Sequence, residues 1–155
     1  MTDEPRSKAI AISENSLEAV EEVVEGARVP SARDLAQDEE SRRKLREVCA
    51  VLEDQKAQDV VVLDVREQTT VADYFVICNG TSAPHIRSIA EGVQDNLREQ
   101  AKWRARAEGD ANSFWVILDY GDVILHVFDA PMRQFYDLER LWADAPTVES
   151  ELEQL

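Results

Sequence analysis

The stretch FWVILDYGDVILHVF, Phe114 to Phe128, decides the fold of this chain. Two apolar runs, Phe114 to Leu118 and Val123 to Phe128, flank DYGD, whose Gly121 can take the positive φ of a tight turn, so the stretch reads as a β-hairpin. With Leu118 opposite Val123, Trp115 faces His126, Ile117 faces Ile124 and Asp119 faces Asp122. Side chains alternate along a strand, which sends Phe114, Val116, Leu118, Val123, Leu125 and Val127 to one wholly apolar face that must be core. The other face gathers Asp119, Asp122 and His126 beside Trp115 and Phe128.

Two carboxylates and an imidazole on one face invite a metal or an acid–base pair. A metal site, however, needs about three or four converging ligands, and Asp119 and Asp122 are also ordinary turn residues. A histidine on a strand beside a tryptophan is usually a satisfied, half-buried side chain, and no serine or cysteine stands in a motif that would make it a nucleophile's partner. The sequence therefore assigns no catalytic, cofactor-binding or metal residue. An aromatic side chain ringed by polar groups has instead the composition of a protein-binding hot spot.

Outward from the hairpin, DVVVLDV (Asp59 to Val65) is a β-branched run that fits a strand buried on both faces. DYFVICNG (Asp73 to Gly80) fits a second strand beside it, joined through a polar turn at Thr69 and Thr70. Ser82 is the expected N-cap of a helix with Pro84 in its first turn and Ile86, Ile89, Ala90, Val93 and Leu97 at helical spacing; Arg87, Glu91, Asp95 and Arg98 form its solvated side. KWRARA, Lys102 to Ala107, alternates as a short edge strand, followed by the turn EGDANS. In APMRQFYDLERLW, Phe135, Leu138, Leu141 and Trp142 share one helical face, with Arg133 and Tyr136 nearer its edge. Upstream, Leu45, Val48, Cys49 and Leu52 predict a helix over 41–55. These elements add up to an α/β (α+β) domain, a mixed sheet of about five strands with flanking helices.

Composition bounds the rest. The chain of 155 residues has 32 acidic against 17 basic side chains and a formal net charge of −15. Gripping nucleic acid needs clustered Lys and Arg, so direct sequence-specific nucleic-acid binding is not expected, whereas a basic protein partner suits the charge. Cys49 and Cys78 show no CxxC spacing and read as reduced core residues. No run approaches the ~18 apolar residues of a membrane span, and the N-terminus lacks a signal peptide's apolar core, so no membrane partner and a cytoplasmic location are expected. Residues 1–40 carry 11 acidic and 4 basic side chains and few aromatics. They are expected to be a weakly ordered extension, ending at a boundary near Ser41; LEAVEEVV, Leu17 to Val24, is a short amphipathic stretch that is marginal as a helix without a partner surface. Residues 145–155 read as an acidic tail.

QDVVVLDV, ADYFVICNGTS followed by His85 and SIA, DYGDVILHVF and RQFYDLERLW resemble, in order and spacing, the ribosomal silencing factor family, also called Iojap, over about residues 41–144. The resemblance implies a sheet of nucleotidyltransferase-like topology used without catalysis. It also implies a translation repressor that binds the large ribosomal subunit through its protein number fourteen and hinders joining of the small subunit when nutrients are short. The partner-binding residues expected on this reading are Trp115, Asp119, Asp122, His126, Arg133 and Tyr136, with no cofactor. A second copy of the chain, forming a homodimer, stays among the candidate partners. The alternatives are a large-subunit assembly factor and a nucleotide-handling enzyme; against the enzyme, Gly80, Thr81 and Ser82 supply a Gly-Ser turn, but KWRARA carries no carboxylate.

Overall fold

The computed structural model describes residues 31–148. In chain order these form α1 (Ala32–Asp54), β1 (Gln58–Asp64), β2 (Tyr74–Asn79), α2 (Ala83–Ala101), β3 (Arg106–Asp110), a 3-10 turn (Ala111–Ser113), β4 (Trp115–Asp119), β5 (Val123–Phe128), α3 (Ala130–Tyr136) and α4 (Leu138–Leu141). The five strands make one sheet in the order β1-β2-β5-β4-β3, parallel between β2 and β5 and antiparallel elsewhere. This is the expected mixed sheet with flanking helices.

All six residues of β2 and all six of β5 are buried, because the sheet is covered on both faces. Val76, Cys78, Val123, Leu125 and Val127 point into a core closed by Leu45, Val48 and Leu52 of α1 and Ile86, Ile89, Val93 and Leu97 of α2. Phe75, Ile77, Ile124 and Phe128 point the other way, into a smaller core closed by Met132, Leu138 and Trp142. Cys49 and Cys78 are free thiols whose burial pushes each pKa up to about 12, so neither is a reactive thiolate.

Several expectations need correction. The first helix starts at Ala32, not near 41, so the expected boundary falls inside it. Ser31 and Asp34 form a reciprocal capping box, with Asp34 N donating to Ser31 Oγ at 3.1 Å and Ser31 N donating to Asp34 Oδ2 at 3.0 Å. Residues 31–40 therefore belong to the helix, while the remainder of the expected extension and the LEAVEEVV stretch lie outside the described residues. β1 is an edge strand rather than one buried on both faces: Val62 and Leu63 are buried, but Val60 and Val61 only partly so. Its open edge is covered by the segment expected to be a tail, where Val148 N donates to the Val62 carbonyl (3.0 Å), Asp64 N donates to the Pro146 carbonyl (2.9 Å), and Ala145 and Val148 are buried.

KWRARA is not a strand. Lys102 takes a left-handed conformation (φ 59°) that ends α2, and pairing begins only at Arg106, so β3 is RAEGD and carries Glu108 and Asp110. Gly109 lets the strand run on, since at φ 75° a Cβ there would collide with the Trp115 carbonyl oxygen. The hairpin register is displaced by two residues, with Trp115 opposite Phe128 and Asp119 opposite Ile124, because the turn closes tightly by Tyr120 N donating to the Val123 carbonyl at 2.9 Å. A shift of two leaves the faces unchanged. Phe114, expected in the core, is left-handed (φ 61°) and 39% exposed. The last helix is two, broken at Asp137 (φ 48°), and the break swings Phe135 out of the core to 77% exposure.

Asp122 also departs from its expected place beside Trp115. Its carboxylate turns to α1, where Lys44 Nζ lies 3.0 Å from Oδ1 and Ser41 Oγ and Gln37 Nε2 lie 2.9 and 3.3 Å from Oδ2. Ser41 Oγ is also 2.7 Å from Asp73 Oδ2, so one hydroxyl hydrogen serves two carboxylates and the Lys44 ammonium offsets their charge. Asp119, Asp122 and His126 thus do not form one cluster. Among the described residues no three His, Cys, Asp or Glu side chains gather as a metal site.

Two expectations for stability follow from this packing. The Lys44 and Asp122 side chains are 11% and 6% exposed, so Asp122→Ala strands a desolvated ammonium and should lower unfolding free energy by about 3 kcal/mol. In urea titrations the Asp122→Ala, Lys44→Met double variant should lose at least ~1 kcal/mol less than the two single variants together; strict additivity would show that the ion pair does not couple α1 to the hairpin.

His126 is buried, which pushes its pKa down to about 4, with Asp119 opposing weakly. The folded protein therefore resists protonation while the unfolded chain takes up a proton near its ordinary pKa of ~6.5. Stability from this group is complete above that value and falls as pH drops toward 4, by an amount on the order of 3 kcal/mol. Between about pH 6.5 and 5, above most carboxylate titrations, His126→Gln should flatten the slope of unfolding free energy against pH; an unchanged slope would contradict the assignment.

Candidate protein-interaction face

On the side of the sheet away from α1 and α2, the aromatic side chains of β4, β5 and α3 stack in a row. The Trp115 ring lies 4.9 Å from Phe128 at 25° and 4.3 Å from Tyr136 at 41°, and Phe135 meets Tyr136 edge-on at 5.1 Å. Burial graduates along the row: Phe128 is enclosed, Trp115 half-buried, Tyr136 43% exposed and Phe135 mostly exposed. The expected accessibility of Trp115 thus holds in part, and Tyr136 stands free as helical spacing suggested.

The orientation of Trp115 is set from below. Its indole N–H donates to His126 Nδ1 at 3.2 Å, which requires the neutral ring with its proton on Nε2. Phe75 packs edge-on against the same imidazole at 6.0 Å. Because burial keeps this histidine neutral, Nδ1 remains an acceptor at physiological pH. His126 is therefore a support for Trp115 rather than a surface contact.

Arg133 is likewise occupied internally. Its guanidinium donates to both carboxylate oxygens of Glu139 (2.9 and 3.1 Å), to Asn79 Oδ1 (3.1 Å) and to the Asp59 carbonyl (2.6 Å), which pins α3 and α4 to the ends of β1 and β2. Asp129 caps α3 by accepting from Met132 N at 3.0 Å. The exposed end of α3, with Phe135 and Tyr136, is so held on a fixed base.

An acidic rim borders the row. Asp110 pairs with Trp115 across the strands and Glu108 with Ile117, so both project to the aromatic face, as does Asp119. Asp119 accepts from Gly121 N at 2.7 Å, Asp110 accepts from Ser113 N at 2.9 Å and from Ser113 Oγ at 3.2 Å, and Arg106, opposite Asp119 and 4.0 Å from Glu108, adds one cation to this mainly acidic rim. From sequence, Glu108 and Asp110 were expected in a turn and Phe135 on the packed helical stripe, so none of the three was expected at this face. The alternation of Arg106, Glu108 and Asp110 was present but masked by Gly109, and no residue pattern announced the break at Asp137.

The Gly80-Thr81-Ser82 turn is also filled by the chain itself. His85 Nδ1 accepts from Thr81 N at 2.9 Å while its Nε2 donates to the Gln55 carbonyl at 2.7 Å, and Ser82 Oγ caps His85 N. Gly80 is needed because a Cβ would fall 2.7 Å from Ile86 Cγ1. Glu108 and Asp110 lie on β3, three strand spacings from β2, or ~14 Å. The turn leads β2 into α2, and the His85 bond to the Gln55 carbonyl ties α2 to the end of α1.

Comparison with known proteins now adds to this geometry. Residues 38–155 match the family described as "Ribosomal silencing factor during starvation". The ribosomal silencing factor RsfS of Halalkalibacterium halodurans is 42% identical over 100 residues, 64% of this chain and 86% of that protein. RsfS of Bacillus subtilis is 39% identical over 102 residues, 66% of this chain and 86% of its own length. A crystal structure of a Chromobacterium violaceum protein superposes with a TM-score of 0.63 at 30% identity, covering 66% of this chain and 85% of that one. The chain belongs to the ribosomal silencing factor family.

Proposed function

We propose that this chain is a non-catalytic repressor of translation in the cytoplasm that docks on the large ribosomal subunit through its protein number fourteen and obstructs the small subunit. The observation that carries the reading is the graded aromatic row from Phe128 through Trp115 and Tyr136 to Phe135, set on a rigid sheet and bordered by Glu108, Asp110 and Asp119. Half-buried aromatics on fixed elements give contact area with little side-chain entropy left to lose, the usual makeup of an interface hot spot. A ribosomal protein is basic, so an acidic rim on a chain of net charge −15 favours encounter with it.

The six residues singled out from sequence take different parts. Trp115 and Tyr136 are the anchors and Asp119 belongs to the charged rim. His126 and Arg133 act as positioning residues for Trp115 and α3, and Asp122 acts through the fold. Repression then needs no chemistry, since a body of this size bound at the subunit interface excludes the opposite subunit sterically.

In sedimentation with purified large subunits, Trp115→Ala should weaken binding at least thirtyfold, or ~2 kcal/mol, with an unchanged circular dichroism spectrum, and Tyr136→Ala should weaken it in the same direction. Asp119→Asn should weaken binding more at low salt than at high salt, where exposed charge is screened. Normal binding by a folded Trp115→Ala variant would remove this face from the account. In a light-scattering assay of subunit joining, variants that bind poorly but still block joining would contradict the steric mechanism, and saturable turnover of a nucleoside triphosphate would favour an enzyme.

A further inference from the structure

On the opposite side of the sheet, the N-terminal half of α1 and the end of α2 enclose an open groove of about 590 Å³, lined among others by Arg33, Ala36, Glu40, Arg43 and Trp103. Trp103 is its half-buried floor. Glu40 Oε1 accepts from the indole N–H at 3.2 Å, while the Arg43 guanidinium and the Lys44 ammonium lie 5.2 and 5.4 Å from the ring centre. Lys102 and Arg104 flank it and are exposed. A half-buried tryptophan flanked by cations is an amphipathic surface with no role in the aromatic face described above.

We propose that residues Leu17 to Val24 of the same chain fold back and dock in this groove. Leu17, Val20 and Val24 repeat at helical spacing, and Glu18, Glu21, Glu22 and Glu25 occupy intervening positions with no basic residue among them. The apolar stripe matches the Trp103 and Ala36 floor, and the acidic side chains can meet Arg33 and Arg43, the two cations that line the groove. The five residues Gly26 to Pro30 reach ~17 Å when extended, and the groove begins within the first turns of α1 after Ser31. Tethering at that distance gives an effective concentration in the millimolar range, so a contact too weak to act between separate molecules suffices.

Hydrogen exchange of the full chain tests the proposal directly, because an isolated helix of this length is marginal and would exchange freely. The amides of residues 17–24 should exchange at least about tenfold more slowly than in an isolated peptide of the same sequence, and Trp103→Ala should abolish that protection. Arg43→Glu should weaken it and Glu21→Arg with Glu22→Arg in the same chain should restore it, which decides the matter even if Trp103→Ala disturbs α1. Exchange at the free-peptide rate in the parent chain, protection indifferent to both Trp103→Ala and Arg43→Glu, or protection that arises only when large subunits are added would each overturn the proposal.

Discussion

The structure depends on the burial of β5 from both sides. As the central strand it pairs with β2 in parallel and with β4 antiparallel, and its alternate residues enter two different cores. Val123, Leu125 and Val127 serve the large core under α1 and α2, whereas Ile124, His126 and Phe128 serve the small one under α3 and α4. Six buried side chains in succession leave no room for a register error of one residue, which would drive an imidazole into the aliphatic core. The same alternation that fixes β5 fixes β4 beside it and so decides on which side Trp115 stands.

The two faces of the sheet are covered to different extents. The helical face supplies most of the buried apolar surface and is tied to the hairpin turn by the Lys44, Ser41 and Asp122 cluster. The other is too thinly covered to bury its aromatics, since α3 and α4 are short and broken at Asp137. Incomplete coverage leaves Tyr136 and Phe135 at the surface while His126, Arg133 and Glu139 keep their supports rigid. In the proposed docking such a surface would need no conformational ordering on association, which would leave more of the contact energy available for affinity.

Much of this was legible in the residues. β-branched and apolar runs announced β2 and β5, and the Ser82 cap with its helical spacing announced α2. Alternation in FWVILDYGDVILHVF separated the two faces even though the register was two residues off. What stayed hidden depended on single backbone conformations or on distant partners. The left-handed residues Lys102, Phe114 and Asp137 carry no glycine to mark them, and each displaced an element boundary. Asp122 looked like a turn residue because the sequence cannot show that Lys44, far upstream, is its partner. The capping box at Ser31 and Asp34 was readable, yet the polar residues after it hid the helix until Leu45.

The central claim is that the Trp115 face, and not the helical face, meets the large subunit. Hydroxyl-radical footprinting of the free protein and of its complex with purified large subunits tests this most directly. The account predicts that Phe135, Tyr136 and Trp115 lose reactivity on binding while Trp103 does not change. Loss of reactivity at Trp103 with Phe135 and Tyr136 still open to solvent would contradict it.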